Sequence, residues 1–163
     1  MNTTVITNSP LGSIFLEASN QGLLKVIIGY TGSGEDHKTR NNSLKMAIDQ
    51  IRAYLSGDLR IFTVPLDLDQ LTVFQQKILN VTRSIPFGEV RSYGDLARQV
   101  NKPGASQAVG MVMKKNPLPI IIPCHRVVAS DGKLHGYSAA GGLLTKAWLL
   151  ELEGLRVVDQ RLV

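Results

Sequence analysis

Short runs of hydrophobic residues separated by turn-forming residues open the chain. "TVIT", "SIFLEAS" and "LLKVIIG" are rich in β-branched and aliphatic side chains, and "NSPLG" and "NQG" lie between them. This pattern predicts three short strands of one meander. After a polar stretch at 31–43, apolar residues at 44, 48, 51 and 55 predict a helix with Ser43 as its N-cap. "IFTVPL" predicts one more strand.

From residue 71 onwards the hydrophobic spacing is that of helices. "LTVFQQKILNVTRSI" ends before Pro86, "SYGDLARQV" begins with Ser92 and Asp95 in capping-box spacing, and "ASQAVGMVMKKN" follows the break "NKPG". Two helices joined by a short break are typical of a helix-turn-helix. We therefore predict an α/β N-terminal domain (1–68), a small antiparallel sheet plus a helix. A mainly α C-terminal domain (69–163) with a winged-helix-like helix-turn-helix follows it.

Composition and charge limit the classes of function that the chain can have. With 44% hydrophobic and 19% charged residues, the chain resembles an ordinary globular protein. It has no long apolar run and no basic start followed by an apolar stretch, so neither a membrane span nor a secretory signal is predicted. Residues 71–163 hold twelve Lys and Arg against six acids, whereas residues 1–70 hold six against seven. This asymmetry favours a polyanionic partner for the C-terminal part.

The chain has one cysteine, Cys124, in "IPCHRVVAS". A single cysteine forms no internal disulfide and no cysteine-rich zinc site, and a reducing cytoplasm is its natural compartment. A nucleophilic thiolate needs a base or a positive charge, and His125 and Arg126 follow directly. Glu153 is one of several acids that could orient the imidazole. From the residues alone, a buried structural cysteine beside a surface histidine is the commoner interpretation.

The motif "PCHRVV", preceded by "NPLPIII" and "SYGDLA" and followed by "GYS", resembles the O6-alkylguanine-DNA alkyltransferase family over residues 72–154. The N-terminal part fits the family's small α/β domain in layout only. The resemblance implies DNA repair by direct damage reversal. The alkyl group of O6-alkylguanine, with O4-alkylthymine as a second candidate, passes irreversibly and stoichiometrically to Cys124 after the nucleotide flips out through the minor groove. His125 then takes the thiol proton through water, Glu153 holds the histidine, and Asn116 ties the recognition helix to the active-site loop.

The resemblance also assigns the surroundings of this cysteine. The residues implied to hold the flipped base are Tyr93, Met113, Val127, Tyr137 and Ser138. Those implied to contact DNA are Ser92, Ala105, Ser106, Gln107, Ala108, Gly110, Lys114, Arg126 and Ser130. Small residues let the second helix of the pair approach the minor groove, and phosphate contacts are expected to dominate affinity. The expected partner is double-stranded DNA containing O6-alkylguanine, bound by a monomer without cofactor or metal; cooperative binding on DNA stays open.

Two features depart from the family pattern. Gln107 stands where the family has an arginine finger that fills the gap left by the flipped base, and glutamine brings no charge. "GYSAAGGLLTK" is about two residues longer than the family's usual loop, which leaves the pocket size open.

Three other functions compete with this interpretation. A non-catalytic alkyltransferase-like lesion binder would lack the acceptor, so Cys124 argues against it. A helix-turn-helix regulator would have no use for "PCHRVV". A cysteine hydrolase would need a separate activating histidine, but His37 lies in a predicted loop and His135 in a glycine-flanked turn.

Overall fold

The computed structural model describes residues 2–34 and 39–163, so His37 lies outside the described residues. The contacts divide the chain into two compact units, each assembled from two stretches: Met1–Gln70 with Pro117–Ile121, and Leu71–Asn116 with Ile122–Val163. The predicted division at 68/69 places residues 117–121 in the second domain, whereas their contacts place them in the first unit.

Among the described residues, an antiparallel sheet in the order β1-β2-β3 and one helix build the first unit. Its elements are β1 (Asn2–Ser9), β2 (Gly12–Ala18), β3 (Leu23–Ile28) and α1 (Asn42–Leu55). Ile14 and Leu16 alternate along β2 and are fully buried, as is Ile51 of α1. Residues 117–121 join this unit at β3, where the Val26 N–H donates to the Pro117 carbonyl at 2.8 Å.

Two details of the first unit differ from the sequence-based prediction. The N-cap of α1 is Asn41, whose side chain accepts from the Leu44 N–H, and Ser43 already lies inside the helix. Both residue types cap helices well, so the sequence did not separate them. "IFTVPL" is not a strand, since only an isolated bridge joins Leu66 to Leu23. Pro65 has no N–H to donate, which limits the pairing.

Four helices and two pairs of very short strands build the second unit. Its helices are α2 (Val73–Arg83), α3 (Tyr93–Gln99), α4 (Ser106–Lys114) and α5 (Leu143–Leu152). Its strands are β4 (Arg91–Ser92), β5 (Val127–Val128), β6 (Val157–Val158) and β7 (Arg161–Leu162). Ser92 is the N-cap of α3 and forms the predicted capping box with Asp95. No helix in the described part of the chain is long and apolar enough to cross a membrane.

The parallel pair β4–β5 brings the segment that follows Cys124 next to the start of α3. Arg91 pairs with Val127 and Ser92 with Val128. The residue after Ser92 is Tyr93, and Val127 follows a 3-10 turn that spans Cys124–Arg126. Two segments far apart in sequence, "SYGDLA" and "PCHRVV", are therefore neighbours in the fold.

Candidate active site

Cys124 begins the 3-10 turn and is 6% exposed, with a free thiol. Burial raises the pKa of this thiol, because a thiolate is poorly solvated there. A hydrogen bond from the Asn116 side chain, the charge of Lys146 and the backbone N–H groups of Cys124 and His125 act in the opposite direction. The resting residue is therefore a thiol, and a base is needed to make it a nucleophile.

His125 and Glu153 form a buried pair. The imidazole is 0% exposed, and its Nε2 lies 2.7 Å from Glu153 Oε2. Burial lowers the pKa of His125, although the hydrogen bond and charge of Glu153 favour the imidazolium. The imidazole is therefore neutral near pH 7. With Nε2–H donating to the carboxylate, Nδ1 is the ring nitrogen that carries the lone pair.

Arg126 is part of this buried cluster, and its predicted role as a DNA contact is wrong. Its Nε donates to Glu153 Oε1 at 2.8 Å, Nη2 to Glu153 Oε2 at 3.0 Å, and Nη1 to the Ile85 carbonyl at 2.6 Å. The residue is 5% exposed. A guanidinium committed to a buried carboxylate in this two-pronged geometry is not available to a phosphate.

Glu153 receives one more donor from a glycine turn. The Gly88 N–H donates to Glu153 Oε1 at 3.0 Å, and Gly88 has a φ of +79° that few other residues adopt. Burial alone would raise the pKa of Glu153. The hydrogen bonds and charges of His125 and Arg126 and the Gly88 N–H lower it to about 2. The carboxylate thus stays ionised throughout the physiological range.

Asn116 connects the end of α4 to the residues before the cysteine. Its backbone N–H donates to the Met113 carbonyl, and its Nδ2 donates to the Ile122 carbonyl at 2.9 Å. The same side chain is hydrogen-bonded to the Cys124 thiol. One amide therefore links the helix, the acceptor segment and the sulfur.

A surface pocket of about 390 Å³ lies at the start of α3 and along α4. Its lining residues are Tyr93, Ser106, Gln107, Gly110, Lys114, His135 and Gly136. The Tyr93 hydroxyl lies 3.5 Å from the His135 carbonyl, and burial together with the charge of Cys124 raises the pKa of Tyr93. A volume of this size is within the range of small-molecule sites.

The residues predicted to hold the base fall into two groups. Met113, Val127 and Tyr137 are buried, whereas Ser138 is exposed and its hydroxyl donates to the Lys114 carbonyl at 2.8 Å. Tyr93 alone of the five lines the pocket.

The predicted DNA contacts other than Arg126 lie at or near the surface. Gln107, Ala108 and Lys114 are exposed on α4, and Ser130 is exposed on the loop after β5. Ala105 precedes the first residue of α4, and Ser106 and Gly110 line the pocket. The Ser92 hydroxyl is occupied as the N-cap of α3.

Sequence reasoning missed Lys146, which is 1% exposed on α5. Its Nζ donates to the carbonyls of Val127 and His135, at 2.7 and 2.8 Å. The signal is present in "LLTKAWLL", because Lys146 occupies the same helical face as the buried Leu149 and Leu150. A lysine in the middle of a buried stripe is unusual enough to be singled out.

Comparison with known proteins gives matches along both units. The family model described as 6-O-methylguanine DNA methyltransferase, DNA binding domain, matches residues 73–155, and the one described as its ribonuclease-like domain matches residues 3–68. A methylated-DNA–protein-cysteine methyltransferase of Mycobacterium leprae is 40% identical over 154 residues, which are 93% of this chain and 92% of that protein. One of Methanosarcina acetivorans is also 40% identical over 154 residues, 91% of this chain and 96% of that protein.

Solved structures match in the same way. The crystal structure of Mycobacterium tuberculosis OGT in complex with DNA has a TM-score of 0.80 and 40% identity, and covers 93% of this chain and 91% of that one. The structure of an O6-methylguanine DNA methyltransferase from Methanococcus jannaschii has a TM-score of 0.63 and 31% identity, and 96% of each chain is covered.

Proposed function

This chain belongs to the 6-O-methylguanine DNA methyltransferase family, and on that premise we propose that Cys124 is its alkyl acceptor. The protein repairs DNA as a methylated-DNA–protein-cysteine methyltransferase, by transfer of the alkyl group of O6-alkylguanine to a cysteine. The observation that carries the assignment is that the chain has one cysteine and that this cysteine adjoins the buried His125–Glu153 pair.

The proposed proton path runs from Cys124 to His125. Because burial keeps the thiol protonated and the imidazole neutral, the thiol is the acid and Nδ1 of His125 is the base, reached through a water molecule. The charge of Glu153 stabilises the imidazolium as it forms. Asn116 holds the sulfur and the acceptor segment in place during this step.

The proposed transfer is a displacement at the alkyl carbon. The thiolate sulfur forms a bond to that carbon as the bond from carbon to guanine O6 breaks, and the guanine leaves with the bonding electrons and takes up a proton. The product is a thioether, and the chain has no second thiol that could remove the alkyl group. Each molecule should therefore repair one lesion.

We propose that the lesion reaches Cys124 by base flipping, since its O6 atom is inaccessible to a buried thiol inside a duplex. The pocket at Tyr93 is proposed to receive the base, and Met113, Val127, Tyr137 and Ser138 stay proposed base contacts, although none of these four lines that pocket. O4-alkylthymine carries its alkyl group on an equivalent exocyclic oxygen and is proposed as a second substrate.

Helices α3 and α4 are proposed to act as a helix-turn-helix of winged-helix type, with α4 in the minor groove. Three exposed residues of α4 support this. Gln107 is an uncharged side chain that can enter the base stack, Ala108 is small enough for close approach to the groove, and Lys114 can bind a phosphate. Gln107 would enter the stack in place of the flipped base. The protein is proposed to bind as a monomer, with or without cooperativity on DNA, and to act in the cytoplasm, where reducing conditions keep its thiol free.

Intact-mass measurement tests this function. After incubation with a duplex carrying one O6-methylguanine, the protein should gain one methylene unit, located on Cys124 by peptide mapping. The matched control is the same duplex with guanine, and the matched variant is Cys124→Ser, which should bind the duplex and gain no mass. A mass gain in Cys124→Ser would remove Cys124 from the mechanism.

A further inference from the structure

Lys146 is a buried cation for which the mechanism above has no role. Its Nζ donates to the Val127 carbonyl, three residues after Cys124, and to the His135 carbonyl in the segment that lines the pocket. The Tyr93 hydroxyl approaches the same His135 carbonyl. One ammonium group therefore holds the acceptor segment and the pocket wall together.

Burial disfavours the charged form of the Lys146 ammonium group. Burial lowers the pKa of Lys146 to about 8, and the charge that acts in the opposite direction is that of Cys124. In return, the charge of Lys146 lowers the pKa of Cys124. A buried lysine whose charge lowers the pKa of the proposed nucleophile is a candidate for a functional residue rather than a purely structural one.

Taking the proposed role of Cys124 as given, we propose that Lys146 is a positioning residue for alkyl transfer. Its ammonium group fastens the pocket wall to the acceptor segment through two carbonyls and supplies the positive charge against which the Cys124 thiolate forms. The bond changes of the transfer are those given above, and Lys146 neither gains nor loses a proton in them.

The neighbouring groups allow the charge effect to be separated by pH. Two ionisable groups of the 3-10 turn interact electrostatically with this ammonium, Cys124 and His125, and His135 adjoins it through the backbone carbonyl that accepts from Nζ. Glu153, with its pKa of about 2, keeps its charge between pH 6 and 9, whereas Lys146 itself loses its charge as the pH rises through about 8. The pKa of Tyr93 is raised further from this range.

The charge of Lys146 also affects the pKa of His125. Its effect on the imidazole opposes the reaction, whereas its effect on the Cys124 thiol favours it. Its charge lowers the pKa of His125 and so opposes the imidazolium, whereas it favours the thiolate. The hydrogen bond from His125 Nε2 to Glu153 compensates at the imidazole. Removal of the Lys146 charge should therefore act mainly by raising the pKa of the Cys124 thiol.

The test is the pH profile of the reaction with free O6-benzylguanine, a probe that requires no DNA. Lys146→Met removes the charge and the donors, Lys146→Gln removes the charge and keeps an N–H donor, and Lys146→Arg keeps both. Lys77→Met, at an exposed position of α2, is the matched control. Melting curves report whether each variant is folded.

We expect Lys146→Met and Lys146→Gln to react at least about tenfold more slowly than wild type at pH 7. This difference should shrink above pH 8, where wild-type Lys146 loses its own charge. Lys146→Arg and Lys77→Met should keep the wild-type rate at pH 7. A loss of rate in both neutral variants that stays the same from pH 6 to pH 9 would reduce Lys146 to a structural clamp and overturn the proposal.

If wild-type protein fails to react at all, the function of Cys124 is wrong. If it reacts and the ratio of wild-type to variant rates is the same at every pH, only the role of Lys146 is wrong.

Discussion

The Glu153 carboxylate is the shared hydrogen-bond acceptor of the candidate active site. It accepts hydrogen bonds from His125, from two nitrogens of Arg126 and from the Gly88 N–H. The removal of one partner of a buried ion pair leaves the other charge without compensation, which is more damaging than the pair is stabilising. The carboxylate therefore orients the imidazole and neutralises the buried guanidinium at once.

Glu153→Gln should lower the free energy of unfolding by about 3–5 kcal/mol at pH 7, because Arg126 is left as a buried, unpaired charge. Alkyl transfer should slow as well. Urea denaturation and single-turnover rates measure the two effects. Glu89→Gln is the matched control: it breaks the exposed 3.0 Å pair with Arg91 and should cost less than about 1 kcal/mol. Equal losses in the two variants would contradict the buried pair.

The acid dependence of stability follows from the same carboxylate. The pKa of Glu153 falls from an ordinary 4.5 to about 2 on folding, so its contribution is complete above pH 4.5 and is lost as the pH falls toward 2. In Glu153→Gln this part of the acid dependence should be absent.

The sequence predicted the contact between His125 and Glu153 better than it predicted the surroundings of Cys124. Cys124, His125 and Glu153 followed from a family motif, although Glu153 is remote in sequence. Arg126 was misassigned because basic residues beside a DNA-binding motif suggest phosphate contacts, and only the fold shows which of them are buried. The position of Lys146 on a buried helical face was visible in the sequence, but its partners are backbone carbonyls, which a side-chain pattern does not identify.

At the scale of elements, the C-terminal hairpin supports the segment that leads to the pocket. Between β6 and β7, Asp159 and Gln160 both have left-handed φ values, as the tightest hairpin turn requires. The Leu134 N–H donates to the Gln160 carbonyl, and the Leu162 N–H to the Gly132 carbonyl. Leu162 packs on a cluster that includes the buried Leu134, one residue before His135.

Leu162→Ala should therefore destabilise the protein by about 2 kcal/mol, at the low end for a leucine truncation because Leu162 is only half-buried. It should also slow the reaction with free O6-benzylguanine, since the pocket wall loses its support. Val163→Ala, at the exposed next residue, is the control and should change neither quantity. A stability loss with an unchanged rate would show that the hairpin does not act on the pocket.

Helix α4 carries Gln107, which we propose enters the base stack in place of the flipped nucleotide. Gln107→Ala should slow repair in a duplex, because less volume enters the gap left by the flipped base, and should hardly affect the reaction with free O6-benzylguanine. Gln107→Arg should tighten duplex binding. Second-order rates with the two substrates measure the effect. Equal losses on both substrates in Gln107→Ala would assign Gln107 to the pocket or the fold.

Element boundaries were predicted where local chemistry decides them. The capping box of Ser92 and Asp95 marks the start of α3 in the sequence and in the structure. The position of residues 117–121 was not predictable, because a hydrogen bond to β3 and not a local pattern places them in the first unit.

For the whole molecule, the basic charge is concentrated in residues 71–163, which hold twelve Lys and Arg against six acids. Higher salt should weaken binding to damaged and undamaged duplexes in parallel, because each phosphate contact releases counterions. Binding titrations at several salt concentrations measure the slope. The rate with free O6-benzylguanine is the control and should change little. A salt-independent affinity would contradict phosphate-dominated binding.

Alkylation should lower the stability of the whole protein. Cys124 is 6% exposed and adjoins the fully buried His125, so an added group must find room in a packed site, at a cost of about 1–3 kcal/mol. The alkyl group also replaces the thiol hydrogen and disturbs the hydrogen bond from Asn116. Melting curves before and after reaction should show a midpoint lower by about 2–10 °C, more for a benzyl than for a methyl group. Cys124→Ser treated in the same way should not shift. An unchanged or higher midpoint with the benzyl adduct would mean that the site accommodates the group without strain.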